Sequence, residues 1–306
     1  MASESRKVIL AALFGNLAIA VSKFVAAVLS GSAAMFSEGV HSLVDTLNEV
    51  LLLWGLRRAR RPPDRLFPFG HGKEVYFWSF VVALLIFTAG AVVSIYDGLQ
   101  HILHPEPVRS FLLSYLVLAM AVLFEGASWL FALTRFSRAK GKWGYVEAVR
   151  RGKDPSLFVV VFEDSAALLG LLVAAGGLAL DQLTGAVLFD GVASVLIGLI
   201  LGGTAVWLAY ETKGLLIGES ANARVVDGIR ELLQREPRVE RVGEILTMHM
   251  GPQFILVNIN VAFRPGERAD AVAAATARLD RDIKARFPQV RRVFIEAEPL
   301  GLLGGS

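Results

Sequence analysis

Six long apolar runs, separated by short polar or strongly basic connections, fill the first two-thirds of the chain. They cover Val8–Leu29, Ala33–Trp54, Val75–Leu99, Phe111–Leu133, Leu157–Leu178 and Ala186–Tyr210. Each is long enough to cross a hydrocarbon core of about 30 Å as a helix. The first is too long for a signal-peptide core and has no clear cleavage site, so it reads as a retained span. After residue 212 the periodicity changes. Val225–Gln234 has helical spacing, Glu244–Met250 and Phe254–Phe263 alternate as strands around a Gly251-Pro252 turn, Ala269–Phe287 is amphipathic, and Arg292–Ala297 reads as a last strand. The pattern predicts an all-α six-helix transmembrane bundle (residues 1–212) followed by a small α+β domain (213–306) of ferredoxin-like α-β-β-α-β order. The long basic connection Ser137–Pro155 is a candidate for one further helix.

Composition agrees with a membrane chain. Of its 306 residues 54% are hydrophobic and 19% charged, against about 45–50% and about 25% in soluble proteins. The last 88 residues hold 25 of the charges, so the tail reads as soluble. The absence of cysteine excludes disulfides, thiolate metal sites and thiol nucleophiles. Basic residues set the orientation: Arg57, Arg58, Arg60, Arg61, Arg65 and Lys73 lie between spans two and three, and Arg135, Arg138, Lys140, Lys142, Arg150, Arg151 and Lys153 between spans four and five. Together with Arg6 and Lys7 they place both termini in the cytoplasm by the positive-inside rule.

Ionisable groups inside spans are costly and so point to function. Span two carries Ser37, His41 and Asp45 at successive i, i+4 positions, flanked by Glu38 and Asn48. One helix face thus offers an imidazole and a carboxylate one turn apart, half of a transition-metal site; the alternative is a hydrogen-bonded pair joining two helices. Span five carries Glu163 and Asp164, about 100° apart around the helix, so that one lines a path while the other packs, or one stays neutral and hydrogen-bonded. Lys23 reads as snorkelling or paired with an acid. Glu125, Asp97 and Asp190 read as structural or interfacial, Asn16 as a packing residue, and His101 and His104 as interfacial.

The sequence at this point resembles the cation diffusion facilitator family of divalent-metal/proton antiporters. The residues that carry the resemblance are Gly31-Ser32, the run Ser37-Glu38-Gly39-Val40-His41-Ser42-Leu43-Val44-Asp45, Phe69-Gly70-His71-Gly72-Lys73, His104-Pro105-Glu106-Pro107, and Asp190 at the start of span six. The stretch Lys153-Asp154-Pro155-Ser156 followed by Glu163-Asp164 looks like the subgroup that includes the animal mitochondrial zinc transporter. The resemblance implies that His41, Asp45 and Asp164 are transport-site ligands. Val160 stands where the family has a fourth ligand; Glu163 is the obvious substitute, and a water or another polar group is the alternative. It implies a second site in the loop at Asp64 and His71, incomplete or absent because Phe67 replaces a histidine, with a loop-structuring role the alternative for His71; a salt bridge between Lys73 and Glu219; and a weak tail site at Glu244, Asn258, Glu296 and Glu298, with His249 nearby but unmatched.

The implied function is efflux of a divalent transition metal, zinc first and iron, manganese or cobalt after it, in exchange for protons by alternating access. The metal is the substrate, and no organic cofactor is expected. His41 is the proton-coupling candidate, since an imidazole ordinarily titrates near pH ~6.5 and metal and protons compete for the same atoms. A homodimer in the lipid bilayer of a bacterial inner membrane is the expected setting. A metal-regulated membrane scaffold or sensor without transport is the alternative. An intramembrane metalloprotease lacks a His-Glu-x-x-His pattern, ATP drive lacks a phosphate loop, and no aromatic-interleaved basic tract suggests nucleic acid.

Overall fold

A computed structural model describes residues 2–140, 144, 145 and 155–299, with the side chains of 2–15, 139 and 155–157 left aside. Most of the expected helix in Ser137–Pro155 lies outside the described residues. The chain divides into two compact units, Met1–Arg57 with Val75–Lys213, and Arg58–Glu74 with Gly214–Ser306.

The first unit is helical: α1 (Ala2–Ser30), α2 (Ala33–Ala59), α3 (Glu74–Leu103), α4 (Phe111–Lys140), α5 (Pro155–Thr184) and α6 (Phe189–Ile217). Among the described residues, four stretches are long and apolar enough to cross a membrane: Glu74–Leu103, Phe111–Arg138, Phe158–Thr184 and Phe189–Ile217. The described apolar part of α1 is the shorter Asn16–Ser30, and α2, which carries Glu38, Asp45 and Glu49, is not among the four. Helix α4 packs on α5 and α1. Within α3, Ile86–Val92 winds as a π-helix, an insertion that re-aims the side chains after it.

Small residues set the helix spacing, as expected where lipid offers no hydrophobic drive for association. A Cβ at Gly98 of α3 would lie 2.7 Å from Gly191 O and 2.8 Å from Val195 N of α6, and one at Gly198 would lie 2.8 Å from Ala91 O. The backbones of α3 and α6 therefore touch. Helix ends are closed by carboxylates across the fold. Asp181 of α5 accepts the backbone N–H groups of Phe189 (2.9 Å) and Asp190 (3.2 Å) at the start of α6. Asp190 in turn accepts Ser32 Oγ (2.6 Å) and the backbone N–H groups of Ala33 (2.5 Å) and Ala34 (3.4 Å) at the start of α2. Free N–H groups and a favourable dipole make a helix start the place for a buried carboxylate.

The second unit has α7 (Ala223–Arg235), β1 (Val239–Gly251), β2 (Phe254–Phe263), α8 (Ala269–Arg286) and β3 (Val290–Ala297). The sheet order is β1-β2-β3, antiparallel between β1 and β2 and parallel between β2 and β3, with α8 as the crossover. Asn222 opens α7 by accepting the Val225 N–H at 3.2 Å. Ile255, Val257, Ile259 and Val261 point to one face of β2 and meet Val225, Ile229 and Leu233 of α7 and Leu279 and Ile283 of α8 in one core. The i, i+4 spacing on the helices and the strand period of two thus converge on one buried layer. The opposite face exposes Leu246, Met248 and Phe294.

Two glycines separate packing from propensity. Gly98→Ala is expected to lower stability by about 1–3 kcal/mol through overpacking. Gly126→Ala, where a Cβ meets nothing within 4 Å, is expected to be neutral or stabilising by up to about 1 kcal/mol. Thermal unfolding of both variants in detergent measures the contrast.

Candidate metal-transport site

The i, i+4 stripe of α2 is longer than the sequence pattern suggested, running through Ser37, His41, Asp45 and Glu49. Ser37 Oγ lies 2.6 Å from Ser194 Oγ of α6, which anchors one end. Further along, a small cavity of about 40 Å³ opens between α1, α2, α4 and α5. That volume is comparable to the share of liquid occupied by one water, about 30 Å³. Asp45 and Glu49 of α2, Glu125 of α4, and Glu163 and Asp164 of α5 all line it, with Asn16, Ser42 and Ser128.

Glu49, Glu163 and Asp164 each accept a hydrogen bond from a nearby amide or hydroxyl. Asn16 Nδ2 donates to Glu49 Oε1 at 2.9 Å, so the residue expected only to pack also ties α1 to an acid of α2. Asn48 Nδ2 donates to Glu163 Oε1. Ser128 Oγ donates to Asp164 Oδ2 at 3.3 Å. Asp45 and Glu163 lie close enough to interact directly. Asp164 and Glu163 are neighbours in sequence, yet both reach this cavity, because it lies at the junction of α2 with α4 and α5.

His41 is 1% exposed, with Nδ1 3.4 Å from Asp45 Oδ1. Neither ring nitrogen has a hydrogen-bond partner among the described residues. The imidazole thus stands behind Asp45 rather than on the cavity wall. Val160, the position where the resemblance leads to a missing ligand, is on that wall. Among the described residues, no three His, Asp or Glu side chains converge tightly enough to hold an ion as they stand. The structure collects the acids around one space without closing them into a shell.

A second buried cluster adjoins the cavity. Lys23 of α1, fully buried, donates to Glu38 Oε2 (2.9 Å), Glu125 Oε1 (2.7 Å) and Ser42 Oγ (2.7 Å). Of the two roles open to Lys23 in the sequence, the structure shows pairing. Glu125 reads from the sequence as structural or interfacial, and the stripe read from spacing stops short of Glu49. The signal for Glu49 was present, since it continues the Asp45 stripe by one turn. Elsewhere in the bundle, His101 Nε2 lies 3.2 Å from Gly31 O, at a glycine with φ +73°.

The loop of the second unit brings Asp64 and His71 together, Oδ2 to Nε2 at 3.0 Å. Asp64 Oδ1 also accepts the backbone N–H groups of Phe67 (2.7 Å) and Leu66 (2.8 Å), and the Phe67 and His71 rings stack at 4.6 Å. Gly70 has φ +85°, and Gly72 sits so close to the backbone of Met250 and Gly251 that no side chain fits. These contacts explain the Phe69–Lys73 motif as a self-bracing turn. Lys73 Nζ reaches Leu216 O at 3.5 Å and Met248 Sδ at 3.7 Å. In the tail, Asn258 pairs with Leu246 and Phe294 across the sheet and Glu296 with Asn260. Glu298 Oε1 accepts Asn260 Nδ2 at 2.7 Å, and Glu244 is exposed on β1. His249 is buried.

A bundle of apolar helices around an acid-lined cavity defines an integral membrane protein built to handle cations. Residues 9–217 match the cation efflux transmembrane domain, and the chain belongs to that family, the cation diffusion facilitators, whose members are transporters rather than enzymes. It is 34% identical over 314 positions to "Proton-coupled zinc antiporter SLC30A9, mitochondrial" of Xenopus laevis, covering 90% of this chain and 56% of that protein. It is 31% identical over 251 positions to "Metal tolerance protein C4" of Arabidopsis thaliana (81% and 55% covered). It is 24% identical over 307 positions to "Manganese efflux system protein MneP" of Bacillus subtilis (98% and 99% covered). The chain thus spans little more than half the length of the first two relatives.

Two measurements follow from the site geometry. Asn48→Ala removes the amide hydrogen bond that α2 gives to Glu163 and is expected to weaken metal affinity about 10–100-fold, read by calorimetric titration with zinc. In the loop, the Phe67 N–H, followed by His71 and the Leu66 N–H, holds the Asp64 carboxyl below its usual range. A lowered folded value means that the turn is fully supported above about pH 4 and loses that support as pH falls through the folded value. An Asp64 carboxyl NMR titration is expected to show a midpoint below ~3.9, rising in Phe67→Pro, which lacks the N–H.

Proposed function

We propose that this chain exports a divalent transition-metal cation from the cytoplasm in exchange for protons, with zinc the preferred substrate. The observation that carries the reading is the single cavity on which Asp45, Glu163 and Asp164 meet inside an apolar bundle. Carboxylates gathered in such number inside an apolar bundle are costly, and a divalent cation relieves that cost. In this reading Asp45, Asp164 and Glu163 hold the metal and His41 swings its ring to complete the shell. Glu163 takes the ligand role lost at Val160. Imidazole with carboxylates suits zinc and also manganese, iron or cobalt, and the names of two relatives carry zinc and manganese.

Proton coupling follows from competition for the same lone pairs: a metal enters only as His41 and the acids give up protons, and a proton load ejects it. The two states alternate between the sides of the membrane. All six helices span the bilayer in this reading, α1 and α2 included, because polar α2 faces inward and keeps its acids from lipid. Residues 1–212 form the transmembrane domain and 213–306 a cytoplasmic, ferredoxin-like dimerisation domain, with both termini cytoplasmic in a bacterial inner membrane. The exposed sheet face at Leu246, Met248 and Phe294 supports a homodimer. Asp64 and His71 serve the turn first and metal only weakly. The carboxylates Glu244, Glu296 and Glu298 with Asn258 form a low-affinity site, and Lys73 with Glu219 ties the loop to the end of α6.

Proteoliposomes with an imposed pH gradient test the proposal. Zinc flux that follows the gradient, exceeds that of manganese, iron and cobalt, and falls at least ~10-fold in Asp45→Ala is the expected result. Equal, gradient-independent uptake in wild type and variant overturns it.

A further inference from the structure

The Lys23 cluster is the buried charge for which the proposed metal site has no use. Its ammonium is completely enclosed, and of its three partners two, Glu125 and Ser42, are themselves part of the cavity wall. The third, Glu38, is not a lining residue; its other oxygen lies against Gly170 of α5, where a Cβ would stand 2.6 Å away. Lys23 thus joins a carboxylate behind the wall to a carboxylate on it. Glu125 commits only one oxygen to this bond. Its second oxygen, Oε2, is buried with no hydrogen-bond partner among the described residues.

A buried carboxylate oxygen left without a donor is expensive, and here it belongs to a group that borders a cavity with four other acids. A lysine that served only to join α1, α2 and α4 would be as well placed away from that space. Its position beside it has an electrostatic consequence. The ammonium offsets part of the negative charge of the acids when no other cation is present, and it repels a divalent ion that arrives. We infer that Glu125 is shared between Lys23 and the transported metal, so that Lys23 acts as a tethered competing cation that keeps the empty cavity charge-compensated and weakens the hold on the metal. This inference rests on the reading of the cavity as the transport site. It makes Glu125 a further ligand and Lys23 a positioning residue that acts through it.

Zinc titration of the full chain in detergent tests the inference. Lys23→Met combined with Glu38→Gln removes the ammonium and its rear counter-charge together and leaves Glu125 free. The expected result is a zinc Kd lowered about 10-fold or more, with the gain lost when Glu125→Gln is added. A Kd unchanged or raised in the double variant overturns the inference. Because breaking a buried charge cluster can unfold a helix bundle, a second measurement uses the wild-type protein and the isosteric Glu125→Gln alone. The zinc-induced infrared difference spectrum is expected to contain a carboxylate band that this variant lacks; coincident spectra overturn the inference. Asp45→Ala measured in parallel separates the two levels. Zinc binding that needs Asp45 but ignores Lys23 and Glu125 removes this inference alone, whereas binding that ignores Asp45 removes the site reading and this inference with it.

Discussion

The three hydrogen bonds of the Lys23 ammonium carry the central constraint of this bundle, which is that charge surrounded by hydrocarbon must find opposite charge or a donor. Lys23 cannot be placed without Glu38 and Glu125, and these come from α2 and α4. The cluster therefore dictates which faces of three helices meet. Glu38 in turn needs space on α5, which Gly170 leaves open. The same constraint acts at the helix ends, where Asp181 and Asp190 are buried only because each meets unpaired backbone N–H groups. Apolar packing supplies the bulk of the cohesion, and the polar contacts select one arrangement from the many that greasy helices allow.

Against that background, the cavity between α2 and α5 is the exception. Of its five acids, Glu125 is paired with Lys23, while Glu49, Glu163 and Asp164 are supported by neutral donors, Asn16, Asn48 and Ser128. A protein that only needed to fold would not gather Asp45, Glu49, Glu163 and Asp164 around one space. The membership of the cation efflux family and this residual charge point the same way.

Much of the fold could be read from periodicity. The tail order α-β-β-α-β emerged from the switch between helical and alternating patterns, and β2 needed no correction at either end. The strand β1 was read short because Val239–Gly243 breaks alternation, where the ladder shifts register between Val239 and Arg241 and again between Val242 and Ile245. Local spacing exposed the His41–Asp45 stripe but stopped before Glu49. It could not reveal partners far apart in the chain. Lys23 and Glu125 are separated by 102 residues, and nothing within a turn of either announces the other. Asp190 illustrates the same limit: an acid at the head of α6 looks local, yet it closes the start of α2, 157 residues earlier. The burial of His41 behind Asp45, off the cavity wall, depends on helix rotation, which a one-dimensional stripe leaves open.

The Asp181–Asp190 relay has a mechanical consequence. It fastens the end of α5 to the start of α6, and the start of α6 to the start of α2, by short bonds at one end of the bundle. A helix such as α2, with 27 residues, is about 40 Å long at 1.5 Å per residue. A rigid tilt of about 5° about that capped end would carry the far end through about 3–4 Å, against the bonds that Ser37, Glu38, Ser42, Asn48 and Glu49 make along the helix. Asp45 and Glu49 sit partway along that arm, so a small rotation at the relay changes their reach toward α5 by a fraction of the end displacement, on the scale that separates a loose ring of acids from a coordination shell.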